Sequence, residues 1–317
     1  MIDAIRLKRS IPKIIIQIFA YMFIVGMTYV FLFPVIYMIS VSFRDPLSVY
    51  DPGIVWLPRA LSTESIRITL VVMNYWTALS TTVIMSLGST AASLMSCILV
   101  GYGLARYRFK GGTLVFILVI VTIIVPPLTT INASFINFRY FDIFGLLKLL
   151  APVTGTDHIN LLDTPWPMIL PSMFGMGIRS GLYIFIFRQF FAGMPKDLEE
   201  AAKVDGCRSF GIFLKVMLPL ARPAVITVVL FSFIWNWNDY FLSSTYNMDA
   251  RTLSGALQGL QSMLTQSGVF AQSHIPPALM RTYLQAGALL MVTPPLILYI
   301  FAQRYFTESI ENTGIVG

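Results

Sequence analysis

Charge is scarce in this chain. Only 12% of its 317 residues are Asp, Glu, Lys or Arg, whereas 56% are hydrophobic and the mean hydropathy is +0.74. A soluble domain carries about 25% charged residues. The deficit excludes an ordinary water-solvated domain and points to lipid as the solvent. Cysteine and histidine are equally rare. Cys97 lies in an apolar run and Cys207 in a charged loop, so neither a disulfide framework nor a zinc pattern is present. His158 and His274 stand far apart in polar loops and read as surface residues. No Gly-Lys pair occurs, which removes the G-x4-G-K-[ST] phosphate cradle. No paired carboxylates, metal cluster or nucleophile triad falls at membrane depth, so the sequence offers no catalytic centre there and no metal site. The net charge of +7 is read as a Lys/Arg bias of cytoplasmic loops and not as nucleic-acid binding.

Long apolar runs are what the chain does have. Ile14 to Ile39 is uncharged over 26 residues, about 39 Å of helix, against a hydrocarbon core of about 30 Å. Arg6, Lys8, Arg9 and Lys13 precede it and Ser40-Val41-Ser42 follows, as in a signal peptide. A signal h-region, however, has only about 7–15 residues, so an uncleaved first span is expected. Five more spans are expected at about Thr77–Leu104, Thr113–Phe138, Met168–Phe191, Ala224–Leu242 and Leu284–Phe301. The second is rich in small residues (Ser86, Gly88, Ser89, Ser93) that let helices approach closely in lipid. Pro126-Pro127 should break the third at mid-depth, and Pro294-Pro295 lies in the sixth. With the N-terminus inside, inner segments hold 13 Lys and Arg and outer ones 7, with Arg179 and Arg188 within the fourth span. The fold class expected is an all-α integral membrane protein with six transmembrane helices, N-in and C-in. A single transmembrane domain, 1–317, is expected, with a core of about 77–306.

Against this background Glu199-Glu-Ala-Ala-Lys-Val-Asp-Gly206 is out of place, because half of it is charged. It falls in the inner loop 195–219. Pro195 suits a first helical turn, and Asp197, Glu199 and Glu200 favour a helix N-terminus. Gly206 suits a left-handed stop. A second short helix follows, with Ser209 as N-cap, an apolar face of Phe210, Phe213, Leu214 and Met217, and Pro219 as its end. This local pattern fits either an amphipathic hairpin on lipid headgroups or a docking lug for an inner partner.

The spacing Glu200-Ala201-Ala202, three residues, Gly206, nine residues, Val216-Met217-Leu218-Pro219 resembles the EAA loop of ABC importer permeases, E-A-A-x3-G-x9-I-x-L-P, with Val216 replacing Ile. Gly101-Tyr-Gly-Leu-Ala-Arg106, Leu161-Leu-Asp-Thr164, Trp235-Asn-Trp-Asn-Asp-Tyr-Phe241 and Gln303-Arg-Tyr-Phe306 resemble motifs of the carbohydrate, MalG-like branch. The outer stretches 44–76 and 139–164 are longer than in short members, and the tail Ile310–Gly317 keeps only part of the usual glycine-rich ending. The resemblance implies a permease paired with a second, homologous permease chain. Two cytoplasmic ATP-binding subunits would serve it, carrying the ATP and Mg, with no cofactor in this chain and no enzymatic role for it. An extracytoplasmic solute-binding protein would deliver a carbohydrate. The location implied is a bacterial-type inner membrane. Glu199, Glu200, Ala201, Ala202, Asp205, Gly206, Leu218 and Pro219 would couple to the ATPase, and the outer loop 245–281 would meet the binding protein.

Arg179 lies near the middle of the fourth expected span, where a charge faces the bundle interior or water. Asn236, Asn238 and Asp239 lie among aromatics toward the outer end of the fifth. These four are the candidate substrate-path residues. Helix bracing remains open for Arg179, and for the aromatics membrane-interface anchoring. Glycerol phosphate is an alternative solute. An ion-coupled secondary sugar transporter fits the proline-broken spans, but it lacks an acidic proton relay and leaves the EAA loop unexplained.

Overall fold

The computed structural model describes residues 2–46, 48, 60–143, 145–248, 251–266 and 275–313. His274, most of 47–59, positions 267–274 of the outer loop and the last four residues lie outside that set. The described residues are mainly helical: α1 (Ile2–Ser42), α2 (Glu64–Val72), α3 (Tyr75–Arg106), α4 (Gly112–Ile124), α5 (Ile131–Arg139), α6 (Leu146–Thr154), α7 (Trp166–Met173), α8 (Ser180–Gly193), α9 (Asp197–Val204), α10 (Ser209–Ile212), α11 (Leu218–Leu220), α12 (Arg222–Asn238), α13 (Phe241–Tyr246), α14 (Leu253–Gln266) and α15 (Pro277–Thr313). Among the described residues, three helices are long and apolar enough to cross a membrane, Ile16–Ser42, Tyr75–Arg106 and Pro277–Phe301, or four if the bent pair Ser209–Leu220 and Arg222–Asn238 is one span.

The chain divides into two compact units, Met1–Val72 with Leu260–Val292 and Met73–Gly259 with Thr293–Gly317. In the first, Ile16, Phe19, Tyr21, Phe23, Val30 and Phe31 of α1 are all exposed. An apolar helix left this bare has lipid or another apolar surface for its solvent.

The second unit is built around α3, which packs against α7, α8 and α12. Small and polar residues crowd its buried face, among them Ser86, Ser89, Thr90, Ser93, Cys97 and Gly101. Lipid supplies no hydrophobic drive between helices, so close approach and interhelical hydrogen bonds carry the packing. A Cβ at Gly101 would stand 2.5 Å from Phe187 Cβ and 3.1 Å from the Arg188 nitrogen. Ser96 Oγ donates to the Ser172 carbonyl at 2.6 Å, tying α3 to α7.

The third expected span is interrupted at Pro126-Pro127, where the helix stops at Ile124 and restarts at Ile131 after a 3-10 turn. The fourth is also broken, which the sequence reading did not foresee. Helix α7 ends in a Schellman motif: Gly175 takes φ +70°, its N–H bonds the Ser172 carbonyl, and the Met176 N–H bonds the Pro171 carbonyl. Helix α8 starts only at Ser180, after Arg179, whose φ of +59° is left-handed. The missed signal was Gly-Met-Gly within an apolar run. Gly175 supplies a positive φ, and Gly177 could take no Cβ without meeting Ser172. The proline pair in α15 leaves that helix continuous, although interior proline removes ladder hydrogen bonds; membrane helices tolerate this where neighbouring groups and local adjustment satisfy the freed carbonyls.

Two of the sequence motifs prove to be corners. Asp163 in Leu161–Thr164 has φ +59°, a conformation that Asp tolerates better than most residues, and its N–H bonds the Tyr246 carbonyl at 2.8 Å. Leu161 and Leu162 then pack on Met85, Phe138, Met168 and Tyr246. In Trp235–Phe241, Asp239 turns α12 into α13, accepting the Ser243 N–H on Oδ2 at 2.7 Å.

Candidate functional site

The charged insertion folds as a two-helix lug between α8 and α12. Helix α9 begins at Asp197, two residues after Pro195, with Asp197, Glu199 and Glu200 in its first turn. It ends in a second Schellman motif. Gly206 has φ +81°, its N–H bonds the Lys203 carbonyl, and the Cys207 N–H reaches the Ala202 carbonyl at 2.9 Å. No atom lies within 4 Å of where a Gly206 Cβ would be, so the glycine serves conformation alone.

The second lug helix departs from expectation at both ends. Arg208 is the N-cap residue and Ser209 the first helical one. Past Ile212 the backbone widens into a π-turn over Phe213–Met217. Pro219 does not end it. Helix α11 runs to Leu220, and the stretch Ser209–Leu220 meets α12 at a 76° bend. The π-turn also rotates the buried face. Ile212, Phe213 and Met217 are buried, while Phe210 and Leu214, expected on that face, are 65% and 44% exposed. A π-turn inserts one residue per turn, so the 3.6-residue periodicity used to assign the face no longer holds.

The lug is fixed to the bundle. Ala202, Ile212, Phe213 and Met217 share one apolar core with Tyr102 of α3 and Tyr183, Phe187 and Phe191 of α8. The Tyr102 ring stands 4.9 Å from that of Phe213 and 5.2 Å from that of Phe191. Glu199 turns into this joint: Arg106 Nε lies 3.3 Å from its Oε1, and Tyr102 Oη donates to the same oxygen at 3.2 Å. Arg106 also donates to the Met194 carbonyl at 2.9 Å, holding the end of α8. Its side chain is only 5% exposed and that of Glu199 15%. Removing one member of such a buried pair costs about 3–5 kcal/mol, because the other is left charged and unpaired.

Glu200 does the opposite. One residue on, and therefore rotated by about 100° around the helix, it is exposed, as are Ala201, Lys203, Val204, Asp205 and Gly206. Val204 is 88% exposed, although apolar. Leu218 is half-buried and Pro219 exposed. The eight lug residues singled out in the sequence thus separate into an inward brace, Glu199 and Ala202, and an outward face containing Glu200, Ala201, Asp205 and Gly206. Arg106 and Tyr102 were missed as members of the site. Their only sequence signal was their place in the Gly101–Arg106 motif.

The four other candidates do not form one cluster. Asn236 is buried and donates its NH2 to the Ser232 carbonyl of its own helix, at 2.8 Å, while its Oδ1 has no hydrogen-bond partner among the described residues. Asp239 is the corner cap described above. Asn238 is exposed and bonds the Ile234 carbonyl. Arg179 is exposed at the α7–α8 break, with its guanidinium carbon 4.5 Å from the Trp235 ring centroid. Among the described residues no group of three or more His, Cys, Asp or Glu is placed to hold a metal.

A broken-helix membrane bundle carrying a helical lug defines a class, and the comparisons with known proteins agree on it. Residues 97–312 match the family described as binding-protein-dependent transport system inner membrane component. The chain belongs to that family: it is an ABC importer permease, an inner-membrane protein that works with other transport components. Among its relatives, the arabinooligosaccharides transport system permease protein AraQ of Halalkalibacterium halodurans is 30% identical over 91% of this chain and 92% of its own length. The polygalacturonan/rhamnogalacturonan transport system permease protein YtcP of Bacillus subtilis is 26% identical over 94% of this chain and 96% of its own. The sn-glycerol-3-phosphate permease UgpE of Yersinia pestis is 27% identical over 73% of this chain and 70% of its own. The fold is similar to that of a bacterial ABC transporter involved in import of the acidic polysaccharide alginate, with a TM-score of 0.66 at 22% identity, covering 92% of this chain and 96% of that one.

Proposed function

We propose that this chain is the membrane-spanning half of an ATP-driven importer of carbohydrate, an oligosaccharide above all, and that its α9–α11 lug receives the stroke of a separate ATPase. The supporting observation is the division of labour between adjacent carboxylates: Glu199 is consumed by the brace to Arg106, while Glu200 stands free on the outer face beside bare Val204. An exposed acid next to an uncovered apolar side chain suits a cleft with a basic wall and an apolar floor. The shared core with α3 and α8 means that a push on α9 moves those helices as well. The chain itself carries no ATP or Mg in this reading and performs no chemistry. Two ATP-binding subunits hold the nucleotide, a second permease chain completes the passage, and an external binding protein delivers the solute. The carbohydrate assignment draws on AraQ and YtcP, which match this chain over more than nine-tenths of its length.

The test is uptake and solute-stimulated ATP hydrolysis by the reconstituted complex. Glu200→Ala should lower both while leaving membrane insertion and thermal stability near wild type. A solvated Glu that merely favours the helix N-terminus contributes about 0.3–1 kcal/mol, and its loss would leave transport nearly normal. Wild-type transport by Glu200→Ala would return the lug to the lipid-surface reading. Glycerol phosphate is the second solute, favoured by the similarity to UgpE.

A further inference from the structure

We propose that Arg179 and Trp235 form a half-site in the translocation passage for an oxyanion carried on a sugar or polyol, either a uronate carboxylate or a phosphate ester. This rests on the solute-permease reading above and narrows its substrate class. The argument begins with depth. Helix α8 has 14 residues beyond Arg179, which places Arg179 about 21 Å from the lug end of that helix. Trp235 lies 13 residues beyond Arg222, the first residue of α12, about 20 Å along it. With the lug at the inner membrane face, as the proposed function has it, two independent helices bring these residues to a similar height within a hydrocarbon core of about 30 Å.

A guanidinium at that level does not face acyl chains. It faces protein or a water-filled cavity. Within this subunit Arg179 is not covered: it is exposed, and the group it meets is the Trp235 ring, itself 44% exposed. The acids that could have neutralised it are committed elsewhere or out of contact. Asp239 caps α13, and among the described residues no carboxylate forms an ion pair with Arg179. The contact with the indole is a cation–π one through the guanidinium carbon, and among the described residues none of the Arg179 N–H donors makes a hydrogen bond. The result is a charged fork against an aromatic wall, with its donors available to whatever occupies the passage. Planar two-point acceptance is what carboxylate and phosphate oxygens offer and a sugar hydroxyl does not. Asn236 adds nothing to an oxyanion half-site, since its NH2 is committed within α12 and its unpartnered Oδ1 can only accept. The exposed Asn238 lies three residues, nearly one helical turn, beyond Trp235.

The test uses the complete complex in proteoliposomes with three probes: trigalacturonate, its neutral counterpart galactotriose, and sn-glycerol 3-phosphate. Wild type should favour an anionic probe over galactotriose, and which anion it takes identifies the source of the oxyanion. Arg179→Gln should lower uptake of that anion about tenfold or more, the worth of a charge-assisted two-point contact, with little change for galactotriose. Arg179→Lys should recover part of the loss, since the charge returns without the fork. Trp235→Leu should cost uptake of the same probe, with the complex still recovered whole. Equal losses on neutral and anionic probes, or loss of the partner permease from purified Arg179→Gln, would show a helix or subunit brace and overturn the proposal. So would unchanged anion uptake, or a wild type that carries galactotriose alone. That last result would leave the permease reading standing. A wild-type complex that carries none of the three probes and binds no ATPase would sink both.

Discussion

At the scale of the residue, the decisive contrast lies between two neighbouring glutamates. Glu199 accepts from Tyr102 and pairs with Arg106 in a nearly closed joint, and Glu200 meets only solvent in this chain. Their alanine variants should fail differently. Glu199→Ala and Arg106→Ala should each destabilise the second unit by about 3–5 kcal/mol, read as a lowered unfolding midpoint of the detergent-solubilised protein. The double variant should be less destabilised than the two losses added, because neither charge is then stranded. If Glu199→Ala unfolded like wild type, the brace would be a surface pair of little worth. The sequence could name both glutamates but not separate them. Facing is set by where the end of α3 brings Tyr102 and Arg106.

At the scale of the element, glycine and proline decide where helices stop, and they were only partly legible. Gly206 was readable as a stop because charged, helix-favouring residues end there, and its φ of +81° agrees. Gly175 was not, because it is embedded in apolar residues that read as one continuous span. Substitution should expose the difference in roles. Gly206→Val places a β-branched residue in a left-handed conformation, costing about 1–2 kcal/mol or more, without any clash, since the space around it is open. The expected outcome is a misdirected lug: poor recovery of the ATPase in pull-downs from a chain that still inserts and folds. Normal ATPase recovery would mean that the angle between α9 and α10 does not matter for docking. Gly101→Leu should act through crowding against Phe187, lowering yield of the chain itself.

At the scale of the whole molecule, the proposed orientation puts the lug and both termini on the cytoplasmic side. In a background lacking Cys97 and Cys207, a cysteine at the exposed position Lys203 should resist impermeant thiol reagents added outside intact cells. One at the exposed Asp157 should react. The reverse pattern would invert the chain and remove the lug from reach of any cytoplasmic ATPase. The membrane class itself follows from composition and run length alone, before any tertiary contact is known.

The sequence by itself determined the solvent, the expected helical spans, the lug and its glycine stop, and the family resemblance. All of these are local quantities: hydropathy over some twenty residues, a fixed motif spacing, a residue type suited to one backbone conformation. Tertiary structure decided which side chains of those elements are spent inside the fold and which are left over. Asp239 became a helix cap and Asn236 a partner of its own helix, though both had read as candidates for the passage. Arg106, unremarked in the sequence except within a motif, became the anchor of the lug. Arg179 was set against Trp235 by a break between α7 and α8, and among the described residues it forms no ion pair with a carboxylate. Such outcomes depend on groups brought together from residues 75 to 240, and a one-dimensional pattern carries spacing along the chain but not the rotation and crossing of helices that bring those groups into contact.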